Sequence, residues 1–251
     1  MSELDFCNNG IRVKLAETDE ELKQARKLRY ESIVLFHRKK DDVSFEQSYN
    51  DVDLNCDHLI AVDVQTDKLV GTYRLVTKKH LPKLGKFTNE ASFNVDDLKN
   101  YDGNVLELGR LAVHPDYRDG FVIKMLFRGL FEYVKLNDIK LLFGFIGLPN
   151  MPQDDLNNFL GYLYYNYRSK DPSLQPFALP PQVKMNVLAE NEIDVVRAKK
   201  CMPPILKAYT SMGCMVASTA ASCDELLKSI DIFIMMETDK INGRYLQFIT
   251  K

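Results

Sequence analysis

The stretch that decides the fold is Val105-Leu-Glu-Leu-Gly-Arg-Leu-Ala-Val113. It is apolar enough for a buried strand, yet it contains a carboxylate, Glu107, and a guanidinium, Arg110, whose unpaired burial would be costly. Side chains three residues apart point to opposite faces of a regular strand. Gly109 between them predicts a β-bulge that turns both toward one site. Two interpretations follow: a buried ion pair that holds the sheet, or a Glu in a dry cleft that acts as a general base.

The segments on either side of this strand predict a mixed α/β fold. Apolar alternation and β-rich runs predict strands at 11–15, 58–64, 69–77, 105–113, 140–145, 182–189 and 230–237. Helical spacing predicts helices from the capping box Thr18-Asp-Glu-Glu21 to about Phe36, and at 115–136, 154–167 and 203–212. The order of these elements predicts an antiparallel hairpin in front of the central strand and a crossover behind it.

Length and charge set limits on function. The chain has 251 residues, and its 33 Lys and Arg against 35 Asp and Glu give a net charge of −2, which argues against a nucleic-acid partner. One domain over residues 1–251 is predicted, with an N-terminal half at about 11–150 and a C-terminal half at 151–251. The five scattered cysteines and the lack of a signal-like N-terminus predict a reduced, cytoplasmic protein without a transmembrane helix.

Common catalytic and metal motifs are absent from the sequence, including the P-loop, the nucleophile elbow and paired Cys/His spacings. Cys56-Asp-His58 could ligate a metal, but no second cluster accompanies it. Asp51-Val-Asp53 has the spacing of a cation-binding D-x-D, but a solvated turn is expected there. No metal site is predicted.

The chain resembles the bacterial ornithine-lipid type of N-acyltransferase, which has the GNAT fold and is related to acyl-homoserine-lactone synthases. The segments that carry the resemblance are Leu28-Arg-Tyr30, Cys56-Asp-His-Leu-Ile60, Gly71-Thr-Tyr-Arg-Leu75, Leu106-Glu-Leu-Gly-Arg-Leu-Ala-Val-His-Pro-Asp-Tyr-Arg118, Leu142-Phe-Gly144, Pro203-Pro-Ile-Leu-Lys207 and Arg244-Tyr-Leu246. The resemblance implies a central, mostly antiparallel twisted sheet flanked by helices, with a C-terminal extension. It also implies transfer of a (3-hydroxy)fatty acyl group from acyl carrier protein to the α-amine of an amino acid, ornithine, as the first step of aminolipid synthesis.

By this resemblance, six residues line the site: Arg29, Asp51, Asp53, Arg74, Glu107 and Arg110. Glu107, with Arg110, is the catalytic pair, because an amine must lose a proton before it attacks a thioester. A guanidinium suits the acceptor's carboxylate, and Asp51 or Asp53 would meet a cationic side chain such as that of ornithine. The alternatives are that Arg29 is an exposed helix charge and that Arg74 pairs with Asp63 across the hairpin.

The donor is predicted to be an acyl-phosphopantetheine thioester, with no tightly bound cofactor. Relatives that use acetyl-CoA carry a glycine-rich turn that binds a pyrophosphate at a helix N-terminus, whereas here Arg118-Asp-Gly-Phe-Val-Ile123 has Phe121 in place of a glycine. This departure favours acyl carrier protein over CoA, although some divergent CoA users also lose the motif. The predicted pantetheine and acyl contacts are Leu111, Val113, Arg118, Phe121, Phe143 and Phe145.

An acidic carrier protein would dock on a basic surface, for which the basic runs are His37-Arg-Lys-Lys40, Lys78–Lys86 and Arg197–Lys200. The product would be amphiphilic, which is compatible with peripheral contact with the inner membrane. A diacylated lipid would require a separate downstream O-acyltransferase. Two other functions stay open: an autoinducer synthase, which the absence of Trp disfavours, and a non-catalytic module that binds acyl carrier protein.

Overall fold

The computed structural model describes residues 4–37, 44–46, 51–224 and 229–243. The chain divides into two compact units, and each is discontinuous in sequence. Unit 1 comprises Met1–Phe87, Leu106–Ile139 and Gln247–Lys251, and unit 2 comprises Thr88–Val105 and Lys140–Leu246. The single domain expected from the sequence stays a prediction.

The described residues form twelve β-strands and seven α-helices. The strands are β1 (Asp5–Asn8), β2 (Ile11–Leu15), β3 (Asp57–Asp63), β4 (Lys68–Thr77), β5 (Phe93–Asn94), β6 (Asn104–Val113), β7 (Ile139–Leu148), β8 (Phe177–Ala178), β9 (Gln182–Lys184), β10 (Met215–Val216), β11 (Ala220–Asp224) and β12 (Ser229–Glu237). The helices are α1 (Asp19–Arg29), α2 (Leu81–Leu84), α3 (Asp96–Lys99), α4 (Phe121–Leu136), α5 (Gln153–Tyr167), α6 (Val195–Cys201) and α7 (Pro204–Met212). The mixed α/β class predicted from the sequence is confirmed.

Unit 1 is an antiparallel sheet between two helices. Its strands lie in the order β1, β2, β3, β4 and β6. Helix α1 covers one face, where Ala25 and Leu28 pack with Ile60 and Ala112 in a buried apolar cluster. Helix α4 covers the other face so closely that a Cβ on Gly71 would lie 2.8 Å from the Val122 side chain. The predicted hairpin is confirmed as β3 and β4.

The first helix begins as predicted and ends differently. Thr18 and Glu21 form both hydrogen bonds of the capping box. The α-helix stops at Arg29, however, and the chain continues as a π-helix over Tyr30–His37. The Ser32 hydroxyl of this wider segment donates to the backbone oxygen of Val113, at the end of β6. The π-helix therefore anchors the end of α1 to the central strand.

The predicted bulge in β6 is confirmed. Thr72 of β4 lies opposite Ala112, whereas Arg74 lies opposite Gly109, so that Arg110 and Leu111 together face a single residue of β4. The left-handed backbone conformation falls on Arg110, with φ of 58°, and not on the glycine. The strand consequently bends next to Gly109.

Unit 2 contains a second antiparallel group of strands, in the order β7, β12, β11 and β9, with β10 also paired to β12. Phe93 packs on Phe233, with ring centroids 5.0 Å apart. The strands predicted at 140–145 and 230–237 are confirmed as β7 and β12. The strand predicted at 182–189 is wrong beyond Lys184, where β9 ends. Among the described residues, no helix is long and apolar enough to cross a membrane.

Candidate active site

Three polar side chains, those of His58, Arg74 and Glu107, share the α1 face of the unit 1 sheet. Arg74 lies opposite His58 of β3 and opposite Gly109 of β6, and Val76 lies opposite Glu107. Cross-strand partners, and residues two apart on one strand, share a face. His58, Arg74 and Glu107 therefore belong to the same polar region of this face.

Asp53 is the centre of this region. It lies in the 3-10 turn Asp51–Leu54, and only 2% of it is exposed. Arg29 donates to its two oxygens at 3.1 and 2.5 Å, and Arg74 Nη1 donates to Oδ1 at 3.4 Å. Arg26 Nε lies 3.4 Å from Oδ2. Three guanidiniums thus converge on one buried carboxylate.

This arrangement corrects three expectations from the sequence. Asp51 is exposed, as a solvated turn predicts, but Asp53 is buried in an ion cluster. Arg29 is not an exposed helix charge, because only 6% of it is accessible. Arg74 pairs with Asp53 and not with Asp63, which instead accepts a hydrogen bond from Tyr117. The polar composition of the 51–53 segment gave no sign of burial, since that burial depends on partners elsewhere in the chain.

The charges of the cluster stabilise one another. Burial acts to raise the pKa of Asp53, but Arg29 and Arg74 outweigh it and hold that pKa below its usual range. Burial, together with repulsion by Arg74, lowers the pKa of Arg29, which the attraction of Asp53 opposes. Arginine stays protonated across the physiological range. The cluster is accordingly an ionised network at neutral pH.

His58 and Cys56 border the cluster in uncharged forms. His58 Nε2 lies 3.0 Å from the backbone oxygen of Asp53, so Nε2 carries the proton and donates. Burial, with repulsion by Arg29, lowers the pKa of His58 to about 4. Cys56 Sγ lies 3.4 Å from Nε2, and burial raises the pKa of this thiol to about 12. Neither side chain is set up as a nucleophile or as a charged base.

Asp53, Cys56 and His58 offer ligand atoms within 4.8 Å of one another, which is the spacing of a metal site. Their chemistry does not fit a cation. The Asp53 oxygens already accept from Arg29 and Arg74, His58 Nε2 carries a proton, and Cys56 is a thiol. A metal ion would also meet the repulsion of the surrounding guanidiniums.

The catalytic pair predicted on β6 has two different environments. Glu107 is 1% exposed, whereas Arg110 is exposed at the bulge. The bulge thus lies where the sequence placed it, but it does not bury the two side chains together. Their catalytic roles stay predictions.

The residues predicted to contact the donor lie in both units. Leu111 and Val113 of β6 are half-buried, and exposed Arg118 donates Nε to the Val113 oxygen at 3.1 Å. In unit 2, Phe143 is fully buried and packs against Phe233, whereas Phe145 is 40% exposed. Phe143 is therefore a core residue, and of the two phenylalanines only Phe145 has a surface that a ligand can reach.

The N-terminus of α4 is hydrogen-bonded to a carboxylate of the chain itself, that of Asp119. The backbone N–H of Phe121 donates to Asp119 Oδ1 at 2.9 Å. A helix N-terminus attracts anions such as phosphates, and here a carboxylate of the chain already occupies part of that position.

Three residues of the cluster were not among the predicted site residues. Arg26 precedes Arg29 by three residues on α1, and this helical spacing is a signal that both reach the same place. Cys56 and His58 were predicted as possible metal ligands and as part of a segment that carries the family resemblance, without a role in the site. The basic run at 37–40 lies largely outside the described residues, as does Arg244-Tyr-Leu246.

Comparison with known proteins agrees with this geometry. A family model described as an acetyltransferase (GNAT) domain matches residues 28–128, which include Arg29, Asp53, Arg74 and Glu107. The structure of a CoA-dependent acyl-homoserine lactone synthase, BjaI, superposes with a TM-score of 0.53, covering 94% of this chain and 86% of that one at 12% identity. The chain is an acyltransferase with the GNAT fold.

Relatives that match along nearly the whole chain confirm the narrower resemblance predicted from the sequence. A Rhodobacter capsulatus protein named L-ornithine N(alpha)-acyltransferase is 27% identical over 254 residues, covering 95% of this chain and 94% of its own. A Brucella abortus protein of the same name is 29% identical over 266 residues, covering 97% and 93%. This chain therefore resembles the ornithine type of acyltransferase.

Proposed function

We propose that this protein transfers a (3-hydroxy)fatty acyl group from acyl carrier protein to the α-amine of an amino acid, most specifically L-ornithine. The observation that carries the proposal is the burial of Glu107 on the same sheet face as the arginine cluster. Full-length likeness to the ornithine acyltransferases supports the choice of acceptor.

Glu107 acts as the general base in this proposal. The α-amine of a free amino acid is largely protonated at neutral pH and cannot attack in that form. A carboxylate within reach of the amine, directly or through a water, removes this proton before the nitrogen attacks. Positioning of the amine and removal of its proton together make the bimolecular step efficient.

The acceptor's carboxylate requires a cation at the surface of the cluster. Arg29 is committed to Asp53 through both terminal nitrogens, whereas Arg110 is exposed at the bulge. Arg110 is thus the best placed guanidinium for a carboxylate that arrives from solvent. A cationic side chain such as that of ornithine would meet exposed Asp51, since Asp53 is held by three arginines.

Acyl carrier protein is the preferred donor because the start of α4 suits a diphosphate poorly. Asp119 accepts from the Phe121 N–H there, and Phe121 stands where CoA-dependent relatives have a glycine. The pantetheine arm would follow Leu111 and Val113 of unit 1 toward Arg118.

The direct test is mass spectrometry of the products formed from 3-hydroxyacyl and unsubstituted acyl carrier protein with a panel of amino acids. The proposal predicts an Nα-acyl amino acid, with ornithine as the best acceptor, and slower reaction from the matching acyl-CoA. An acyl-homoserine lactone formed from S-adenosylmethionine would instead identify an autoinducer synthase. Binding of the carrier protein without any turnover would identify a non-catalytic module.

Two partners follow from the chemistry of the product. An acylated amino acid with a free hydroxyl on its chain is a substrate for a separate O-acyltransferase. The amphiphilic product also favours release at the inner membrane. Co-sedimentation of the protein with anionic vesicles tests this peripheral contact, and complete recovery in the supernatant would exclude it.

A further inference from the structure

Arg74 is held in an unusual position across the central strand. Its Nη1 donates to Asp53 at 3.4 Å. Its Nη2, Nε and Cζ lie 3.4, 3.6 and 3.9 Å from the point that a Cβ on Gly109 would occupy. One end of the guanidinium thus faces the buried carboxylate, and its other atoms lie within van der Waals distance of the position of a Gly109 Cβ.

The backbone beneath this guanidinium leaves the regular ladder. Arg110 and Leu111 together face one residue of β4, and Arg110 adopts a left-handed conformation. Peptide groups at such a bulge are turned relative to the sheet, and turned backbone N–H groups are suitable donors to an anion. Glu107, two residues before Gly109, lies on the same face.

We infer that Arg74 is a catalytic residue that donates a hydrogen bond to the oxyanion of the tetrahedral intermediate, beside the backbone of the β6 bulge. This inference rests on the proposed function. Asp53 is then a positioning residue, which fixes the guanidinium before the reaction begins. Gly109 is a second positioning residue, because a side chain that extends beyond Cβ there would meet the guanidinium.

The ammonium group of the acceptor first loses one proton to solvent through Glu107. The free amine nitrogen then forms a bond to the thioester carbonyl carbon, the π electrons of the carbonyl move onto its oxygen, and the nitrogen loses a second proton, to Glu107. The oxyanion is stabilised by Arg74. When the C–S bond breaks, the carbonyl re-forms, the thiolate leaves, and it takes a proton from Glu107, so that an amide and a free thiol result.

The burial of Arg74 favours this role over recognition of the acceptor's carboxylate. Only 6% of Arg74 is exposed, so a carboxylate would have to lose its hydration to reach it. An oxyanion, in contrast, develops at the reacting atom itself. A fixed charge that meets it there increases kcat because it acts chiefly in the transition state.

The test compares Arg74→Gln with wild type on two acceptors, ornithine and its α-carboxamide, which lacks the carboxylate. Loss of one oxyanion donor typically reduces kcat about 100-fold or more. We expect the same fold-decrease in kcat for both acceptors, with KM for ornithine changed less than about twofold. A loss confined to ornithine, or a change in KM alone, would assign Arg74 to the carboxylate and overturn the inference.

A stability measurement and a further variant protect this test from a folding defect. In Arg74→Gln the Asp53 carboxylate keeps Arg26 and Arg29 as partners, and urea unfolding of this variant checks that it is folded under the assay conditions. Gly109→Val keeps the ion pair but pushes the guanidinium off the strand, and we expect it to decrease kcat for both acceptors. A Gly109→Val enzyme with wild-type kcat would contradict the proposed position.

Arg12→Gln is the matched control, because Arg12 is a surface arginine that pairs with Asp5 on the edge strands. Arg12→Gln should have wild-type kcat and KM with both acceptors. A wild-type enzyme that forms no acyl amino acid would refute the proposed function itself, which is a different result from selective loss in Arg74→Gln.

Discussion

Two carboxylates four residues apart, Asp53 and Asp57, are stabilised in contrasting ways. Asp53 is fully buried among guanidiniums on the α1 side of the sheet. Asp57 begins β3, keeps 27% of its side chain exposed, and accepts from Tyr133 of α4 at 2.6 Å and from Lys79 at 2.9 Å. Both have lowered pKa values, since their cationic and hydrogen-bonding partners outweigh the opposing effect of burial.

The two carboxylates differ in their surroundings. Asp57 joins the start of β3 to α4 through neighbours that water can partly replace. Asp53 brings three guanidiniums together on the sheet face that also carries the buried Glu107, and burying these charges is costly. We therefore expect substitutions at the two positions to differ in kind as well as in size.

Asp53→Asn should produce the largest loss of stability. Asparagine keeps the shape of the side chain but leaves three guanidiniums without their counter-charge. Breaking a buried ion pair on one side costs about 3–5 kcal/mol. Urea unfolding at neutral pH measures this loss, and activity should fall with it because Arg74 is released. A variant as stable as wild type would show that the cluster is not electrostatically coupled.

His58 should give the cluster a pH dependence that begins at higher pH than that of Asp57, whose lowered pKa removes stability only as pH falls below about 4. Its pKa is about 4 in the folded protein and about 6.5 when unfolded, so the unfolded chain binds more protons between these values. Stability from this residue is therefore fully present above about pH 6.5 and is lost as pH falls toward 4, by about 3 kcal/mol in total. Unfolding free energies of wild type and His58→Gln, measured from pH 7 downward, should converge; parallel curves would contradict the buried neutral imidazole.

Tyr133→Phe should have the smallest effect. It removes one hydrogen bond to Asp57, which retains Lys79 and access to solvent, so the cost is about 1 kcal/mol. Steady-state kinetics should be unchanged. A large loss of kcat in this variant would mean that Asp57 and its partners, and not only the Asp53 cluster, take part in the reaction.

The sequence predicts best where the deciding interactions are local. A glycine between two charges in an apolar strand predicted the bulge of β6, and it is present, with the left-handed residue displaced by one position. The capping box predicted the start of α1 for the same reason.

Features that depend on partners far away in the sequence were not predicted. The π-helix after Arg29 contains Ser32, whose hydroxyl donates a hydrogen bond to the backbone oxygen of Val113, 81 residues away in the sequence. The burial of Asp53 depends on Arg29 and Arg74, which are 24 and 21 residues away. Strands β10 and β11 lie in a Ser- and Ala-rich stretch with little β-propensity, and pairing with β12 defines them.

Glu107→Gln, assayed with two nucleophiles, tests whether Glu107 removes a proton from the attacking amine. Ornithine requires a base at neutral pH, whereas hydroxylamine is already unprotonated there. After subtraction of the uncatalysed thioester reaction, we predict a kcat about 1,000-fold below wild type with ornithine and a far smaller decrease with hydroxylamine. Equal decreases with the two nucleophiles, or wild-type turnover of ornithine, would contradict the assignment of Glu107 as the base.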